Sequence, residues 1–508
     1  MRFIKAETLR VNDAMMGVEL KISGRELMER AGAAVARWAA RLCRARGGRD
    51  ILIAAGRGQN AGDAFVAARH LCLAGFNVNL RMVAPPEALK GDARAAHDDL
   101  PEYLPRKVCQ SADSWRGMNF ATTPAPTVVI DGLLGIGAKS VPDPIFTAAI
   151  RYVNAFSRHA LILSIDIPSG MAADTGETPG ACVLADVTLA LAAPKVGFLN
   201  EACHPWLGHV AVADIGVPRD WQTSDEVSTF SCAPGLSHLL PPRRYDAHKG
   251  MFGRVLVIAG TRDTVGAGIL AARSALLAGA GTVSFAGSIA NRDACLAHCP
   301  EIINEALDAT LRLEKFQAVV IGPGLGINEA MRRQVLHVLE SPCPVVLDAD
   351  ALALLPADLP KPERIVITPH PGEAARLLGT GIPDVQKNRI QTAHTLAERM
   401  KCAAVLKGAG SIITRPGGAR ELNLTGNPGM AAPGAGDVLA GITGALLARG
   451  LAPFDAARLA TWLHGTAGDF AAWKTGQESL AATDITNALP EAFSILRAEG
   501  AHIPAEQP

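Results

Sequence analysis

Ile51-Leu52-Ile53-Ala54-Ala55-Gly56-Arg57-Gly58-Gln59-Asn60-Ala61-Gly62-Asp63, followed by a mostly apolar run through Leu73, decides the fold. A short apolar strand that breaks at glycines and resumes as a helix is a βα unit. Its turn leaves bare amides and the positive end of a helix dipole facing any bound phosphate. Gln59, Asn60 and Asp63 put more polar side chains into this turn than a structural turn requires, which favours a ligand loop.

Just upstream, Leu27, Met28, Ala31, Ala34, Val35 and Trp38 recur at helical spacing, so Ser23 to Leu42 is expected as an amphipathic helix capped by Ser23. The arginines toward its end, Arg37 to Arg49, suit the helix dipole and form a solvated face. Downstream, strands are expected at Val78–Val83, Thr127–Ile130, Leu161–Ile165, Val187–Leu191 and Val210–Val212. Two of these run into aspartate loops, Asp131-Gly-Leu-Leu-Gly135-Ile136-Gly137 and Asp166-Ile-Pro-Ser169-Gly170. Either aspartate alone could be a turn or a cap. Together with the Gly56–Asp63 turn, on one edge of one sheet, they predict a pocket.

From Asp220 to Pro242 no hydrophobic period persists, so a boundary is placed near residue 225, with domains at 1–225 and 226–508. Beyond it the pattern recurs. Strand Val255–Ala259 leads to Gly266-Ala267-Gly268, Ala318–Ile321 to Gly322-Pro-Gly324-Leu-Gly326, and Val345–Leu347 to Asp348-Ala-Asp350. Ile365–Ile367 leads to Thr368-Pro-His370-Pro-Gly-Glu373, and Val405-Leu406 to Lys407-Gly408-Ala409-Gly410-Ser411. The expected class is α/β, two doubly wound domains with sites along their sheet edges. Near the end, Gly426 to Gly450 carries Pro433-Gly434-Ala435-Gly436-Asp437 before a small, apolar helix. Asp437 there either caps its helix or takes a proton from a hydroxyl attacking a phosphate bound at the helix start.

Composition narrows the partners. Lys+Arg and Asp+Glu balance at 49 each, which argues against nucleic acid or an anionic membrane as partner. The 10 cysteines form no Cys-x-x-Cys, as expected for free thiols in a reducing cytoplasm. Cys295, His298 and Cys299 lack the second half of a zinc site, so ordinary buried thiols are expected. No hydrophobic leader and no membrane-length apolar stretch is present, and a cytoplasmic location is expected.

The loops Gly56–Asp63, Asp131–Gly137 and Asp166–Gly170, with Leu27-Met-Glu-Arg-Ala-Gly32, resemble the NAD(P)H-hydrate epimerase domain over roughly the first 220 residues, a Rossmann-like fold. The resemblance implies that Gln59, Asn60, Ala61, Gly62 and Asp63, with Gly135, Ile136, Gly137, Ala138, Lys139, Ser140 and Val141, line a hydrated nicotinamide nucleotide. It implies potassium at Asn60, Asp131 and Ser169, and Asp166 at the reacting ring. The chain departs from that pattern at Ala61 and Ala64, where glycine is commoner, and at Ile136, where threonine is.

The second half resembles the ribokinase-like superfamily and, within it, the ADP-dependent NAD(P)H-hydrate dehydratase branch, over about residues 230 to 500. By that resemblance Ala267, Gly324, His370 and Asp437 contact the S-hydrate. Lys407, Gly408, Ala409, Gly410, Ser411 and Gly436 hold the nucleotide, with ADP as co-substrate and Mg2+ beside it. Ala435 stands where threonine is usual. The substrates implied are the NADH and NADPH hydrates, and a homo-oligomer is expected. The alternative is a ribokinase-like small-molecule kinase fused to a non-catalytic binding domain.

Overall fold

Ile51 to Ala55 lie in β1 (Asp50–Ala55), the centre of a parallel sheet in which the chain reverses its winding. The computed structural model describes residues 1–116, 125–137, 140–222, 228–260, 263–308 and 311–500. Contacts divide the chain into two units, Met1–Glu226 with Cys232–Pro234, and Val227–Ser231 with Gly235–Gly500.

In the first unit, β2 (Asn77–Met82), β3 (Arg106–Val108), β4 (Val128–Gly132), β5 (Leu161–Ile165), β6 (Val187–Leu191) and β7 (His209–Ala213) complete a 7-stranded sheet ordered β3-β2-β1-β4-β5-β6-β7. All its pairings are parallel, and the order reverses between β1 and β4. At that switch the loops diverge from the carboxyl ends of both strands, where open α/β sheets usually form a ligand crevice. The strands touch closely there: a Cβ at Gly56 would lie 1.9 Å from the Leu133 carbonyl oxygen. Helices α1 (Ala6–Glu19), α2 (Gly24–Arg46) and α3 (Gln59–Leu73) come early in the unit. Ser23 caps α2 by accepting from the Glu26 amide. Gly32 lets α2 seat against α3, since a Cβ there would sit 2.4 Å from Val66 Cβ. Ala61 and Ala64 are fully buried, and the Ala64 methyl occupies the space beside Gly132. α1 has no counterpart in the sequence reading. Its exposed face carries Val11 and Val18, which blurs the helical period.

The second unit is a 10-stranded sheet, ordered β11-β10-β9-β12-β13-β14-β15-β16-β17-β8. Its strands are β8 (Ser228–Phe230), β9 (Arg254–Ile258), β10 (Thr282–Gly287), β11 (Ile303–Ala306), β12 (Ala318–Ile321), β13 (Val345–Leu347), β14 (Ile365–Ile367), β15 (Ala403–Leu406), β16 (Ser411–Thr414) and β17 (Arg420–Asn423). It is not wholly parallel. β15, β16 and β17 pair antiparallel, so Lys407 to Gly410 is a hairpin turn and not a βα turn. β8, from the stretch expected to be linker, pairs with β17 and is too short to show a period. Its neighbour Ser231 donates to buried Glu421, which also accepts from Arg458 at 2.6 Å.

The strand order reverses between β9 and β12, a second switch point, and the helices Val265–Leu277 and Ala435–Ala448 pack tightly against each other. A Cβ at Gly441 would lie 2.1 Å from both the Ala271 carbonyl oxygen and Ser274 Oγ. Gly441→Ala is therefore expected to lower stability by about 1–3 kcal/mol, read as a reduced denaturant midpoint. An unchanged midpoint would show that the helices separate without penalty.

Candidate functional site

Both units place polar loops at the crevice where strand order reverses. In the first, the turn after β1 starts α3 with no acidic residue in its first turn, and Asn60 is buried. Asn60 Nδ2 donates to the Leu134 carbonyl at 2.9 Å, joining the loops after β1 and β4. Asp131, at the end of β4, is fully buried. It accepts from Ser169 Oγ at 2.6 Å, from Ser164 Oγ and the Ser169 amide at 2.9 Å, and from the Leu133 amide at 3.2 Å. Burial raises its pKa, and these bonds only partly offset the shift. Every donor is neutral, so the negative charge has no side-chain counterion among these contacts. Ser169 Oγ also reaches the Leu134 carbonyl at 3.2 Å, so Asn60 and Ser169 meet at that carbonyl and Ser169 links it to Asp131.

Asp166 follows β5 with φ at 68°, a left-handed conformation unusual outside glycine and asparagine. It forms an ion pair with Lys195, whose side chain is 0% exposed, and accepts from the Leu191 amide at 3.0 Å. Lys195 also donates to the Leu191 and Ala193 carbonyls at 3.1 and 3.0 Å. The sequence reading missed this lysine. Its signal was a lone cation in the apolar run after β6. Asp63 is buried near Asp166, and burial first, then the charges of Asp166 and Asp13, push its pKa well up. Gln59, Gly137, Ser140 and Val141 are exposed, whereas Gly135 and Ile136 are half-buried. Ala138 and Lys139 lie outside the described residues.

In the second unit Gly434, at φ 89°, turns the chain into the helix Ala435–Ala448. Gly436 is helical and needs no special backbone angle. What requires glycine there is closeness, because a Cβ would come within 3.2 Å of Lys407 Nζ. Asp437, in the first turn, has its pKa pushed up to about 7 by burial first and then by Asp348, with Asp350 adding and Lys407 opposing. Asp348 is buried, and Lys407 Nζ donates to its Oδ1 at 2.7 Å. Burial works against the Lys407 ammonium, but Asp348 and Glu373 outweigh it and hold its pKa above the ordinary lysine value. Lys407 therefore sits with the acids at the start of the helix, while Gly408 to Ser411 form the turn beyond it.

That turn is held by Arg389, another residue the sequence reading missed. It is buried, and its Nη2 donates to the Gly410 carbonyl at 3.2 Å. His370 is exposed, not a buried satisfied histidine. Its Nδ1 accepts from the Gly372 amide at 3.0 Å, and Glu373 accepts from the His370 amide at 2.7 Å, a reciprocal cap for the helix Pro371–Leu378. Gly324, at φ 55°, is fastened across the switch point by Thr264 Oγ1, which donates to its carbonyl at 2.7 Å. Ala267 lies half-buried in the first turn of the helix Val265–Leu277. His464 bonds the backbone of Ala435, and burial pushes its pKa down to about 4, so the imidazole is neutral. Cys295 and Cys299 are buried, with thiols pushed up to about 12 and about 11 by burial. Among the described residues no helix is long and apolar enough to cross a membrane.

Residues 24–197 match the family described as YjeF-related protein N-terminus, and residues 255–491 match NAD(P)H-hydrate dehydratase. The bifunctional NAD(P)H-hydrate repair enzyme Nnr of Moorella thermoacetica is 36% identical over 96% of each chain. The chain belongs to the bifunctional NAD(P)H-hydrate repair enzyme family. The Escherichia coli K12 member of this family is 37% identical over 91% of this chain and 88% of its own. Among solved structures, the ADP/ATP-dependent NAD(P)H-hydrate dehydratase of Bacillus subtilis, co-crystallised with ATP/Mg2+, matches with TM-score 0.50 and 32% identity. It covers 53% of this chain and 99% of its own. The crevices described above fall inside the two matched segments.

Proposed function

We propose that the chain repairs hydrated nicotinamide coenzymes in two steps. Its first unit interconverts the R and S epimers at C6 of the NADH and NADPH hydrates. Its second dehydrates the S epimer with ADP, releasing AMP and phosphate. One observation carries the second step: Asp437, poised near neutrality, lies in the first turn of a helix that begins at the Gly434 turn.

Asp437 takes the proton of the C6 hydroxyl as that oxygen attacks the terminal phosphorus of ADP. The amide of Gly436 and the positive end of the helix dipole face the charge that develops. Phosphate then leaves C6, a proton leaves C5, and the reduced ring is restored. Gly436 and the Lys407–Ser411 turn hold the nucleotide, while Ala267, Gly324 and His370 bound the hydrate. Among the described residues no three His, Cys, Asp or Glu side chains are grouped to hold a metal ion. Mg2+, if it accompanies the diphosphate, would supply charge neutralisation on the phosphates beside Asp348, Asp350 and Asp437. In the first unit Asp131 and Ser169, with Asn60 on the adjoining loop, would hold a weakly hydrated monovalent cation such as K+ through their side-chain oxygens, and it would tie the two loops together.

Incubation with S-hydrate and ADP tests this reading. Reduced-nicotinamide absorbance should return in step with AMP, and a stable phosphorylated product with no absorbance would identify a kinase instead. Because Asp437 acts as a base, the rate should rise with pH through about 7 and fall tenfold per unit well below it. A flat profile from pH 5 to 8 would exclude Asp437 as that base.

A further inference from the structure

We propose that Asp13, on α1, is the second proton-carrying carboxyl of the epimerase site, acting across the nicotinamide ring from Asp166. This rests on the epimerase reading above and extends it to a helix that neither the loops nor the site residues considered so far include.

Three contacts seat α1 against that site. Ile4 pairs in parallel with Lys195, its amide donating to the Pro194 carbonyl at 2.9 Å and its carbonyl accepting from the Val196 amide at 3.1 Å. The first residue of α1, Ala6, donates its amide to Asp174 Oδ1 at 2.7 Å. Arg10 reaches the Ile136 carbonyl at 3.5 Å, in the loop that follows β4. Asp13 is three residues beyond Arg10 and shares its face of the helix. Asp13 is exposed, while Asp166 and Asp63 are buried. The charged groups that face it are Asp166, Asp63 and Lys195. Burial first, and then the charge of Asp166, raise the Asp13 carboxyl to about 6, with Lys195 pulling the other way.

Inversion at C6 needs two proton transfers on opposite faces of the ring. Asp166 is paired with the Lys195 Nζ, which places it to receive a proton. Asp13 supplies a proton. It protonates the C6 oxygen, the C6–O bond breaks with its electron pair leaving on that oxygen as water, and the ring nitrogen pair closes to C6=N1. Water adds to the other face, the pair returns to nitrogen, and Asp166 takes the proton from the incoming oxygen. The proton then passes back to Asp13, and no oxidation state changes.

The full chain, with Asp13→Asn, Asp13→Glu and Asp166→Asn, provides the test. Each is assayed for R-to-S conversion, for oxygen-18 uptake from solvent water at C6, and for ADP-dependent dehydration of the S epimer as a control on the second unit. Asp13→Asn is expected to lower kcat for conversion and isotope uptake together by about 10²–10³ with KM little changed, and Asp13→Glu to restore part of both. Dehydration should be unaffected. Wild-type conversion in Asp13→Asn with Asp166→Asn impaired would remove Asp13 and leave the epimerase reading standing. Wild-type conversion in both would remove that reading too. Equal losses in Asp13→Asn and Asp13→Glu with a lowered unfolding midpoint would assign Asp13 to the fold and overturn the proposal.

Discussion

Asp437→Asn is expected to lower the dehydration rate of the S-hydrate at least about a hundredfold while leaving R-to-S conversion at the wild-type rate. The substitution keeps shape and removes the carboxylate proposed to take the hydroxyl proton. Lys407 is not stranded by it, because Asp348 and Glu373 still face the ammonium. Stability separates this result from unfolding. With its pKa raised from 3.8 to about 7, Asp437 binds its proton more tightly in the folded than in the unfolded chain. Folding stability from this group is therefore greatest at low pH and is lost as pH rises from about 4 to about 7. Above that window the ionised Asp437 works against the fold. The asparagine variant should thus unfold at an equal or higher temperature at pH 8, yet fail in single-turnover assays with ADP. Wild-type turnover in that variant would remove the base from the mechanism.

How much of this was legible beforehand follows from what a sequence can carry. The βα turn at Gly56–Asp63 and the helix start at Ala435 stand out because glycine, apolar runs and acids at fixed offsets record backbone needs locally. Their switch-point placement follows once the strands are ordered. The partners of those residues were not legible. Lys195 is 29 positions from Asp166, and Asp348 is 59 from Lys407. Only the sheet brings them together, and a solitary lysine or aspartate in sequence carries no mark of its mate. The setting of Gly436 was equally hidden, since a Cβ there would come within 3.2 Å of Lys407 Nζ, 29 positions away in sequence. β8 and α1 escaped for a simpler reason: one is too short and the other too evenly polar and apolar to show a period.

Asp166→Asn is expected to abolish R-to-S conversion, by about 10²–10⁴ in kcat, and Asp166→Ala to do so with a loss of stability besides. The two differ because position 166 carries a backbone burden as well as a chemical one. At φ 68° asparagine is tolerated far better than alanine, so the amide keeps the turn that alanine strains. Lys195 imposes the second difference. It is fully buried, and without a carboxylate its ammonium is left with the Leu191 and Ala193 carbonyls alone. Removing one partner of a buried pair typically costs about 3–5 kcal/mol, and an amide oxygen recovers part of that where a methyl recovers none. Replacing both members, Asp166→Asn with Lys195→Met, should then unfold later than Asp166→Ala while remaining inactive. Denaturant midpoints give the order, and oxygen-18 uptake at C6 reads the chemistry. If the double variant interconverts the epimers as the wild type does, the pair is structural and the proton acceptor lies elsewhere in the crevice.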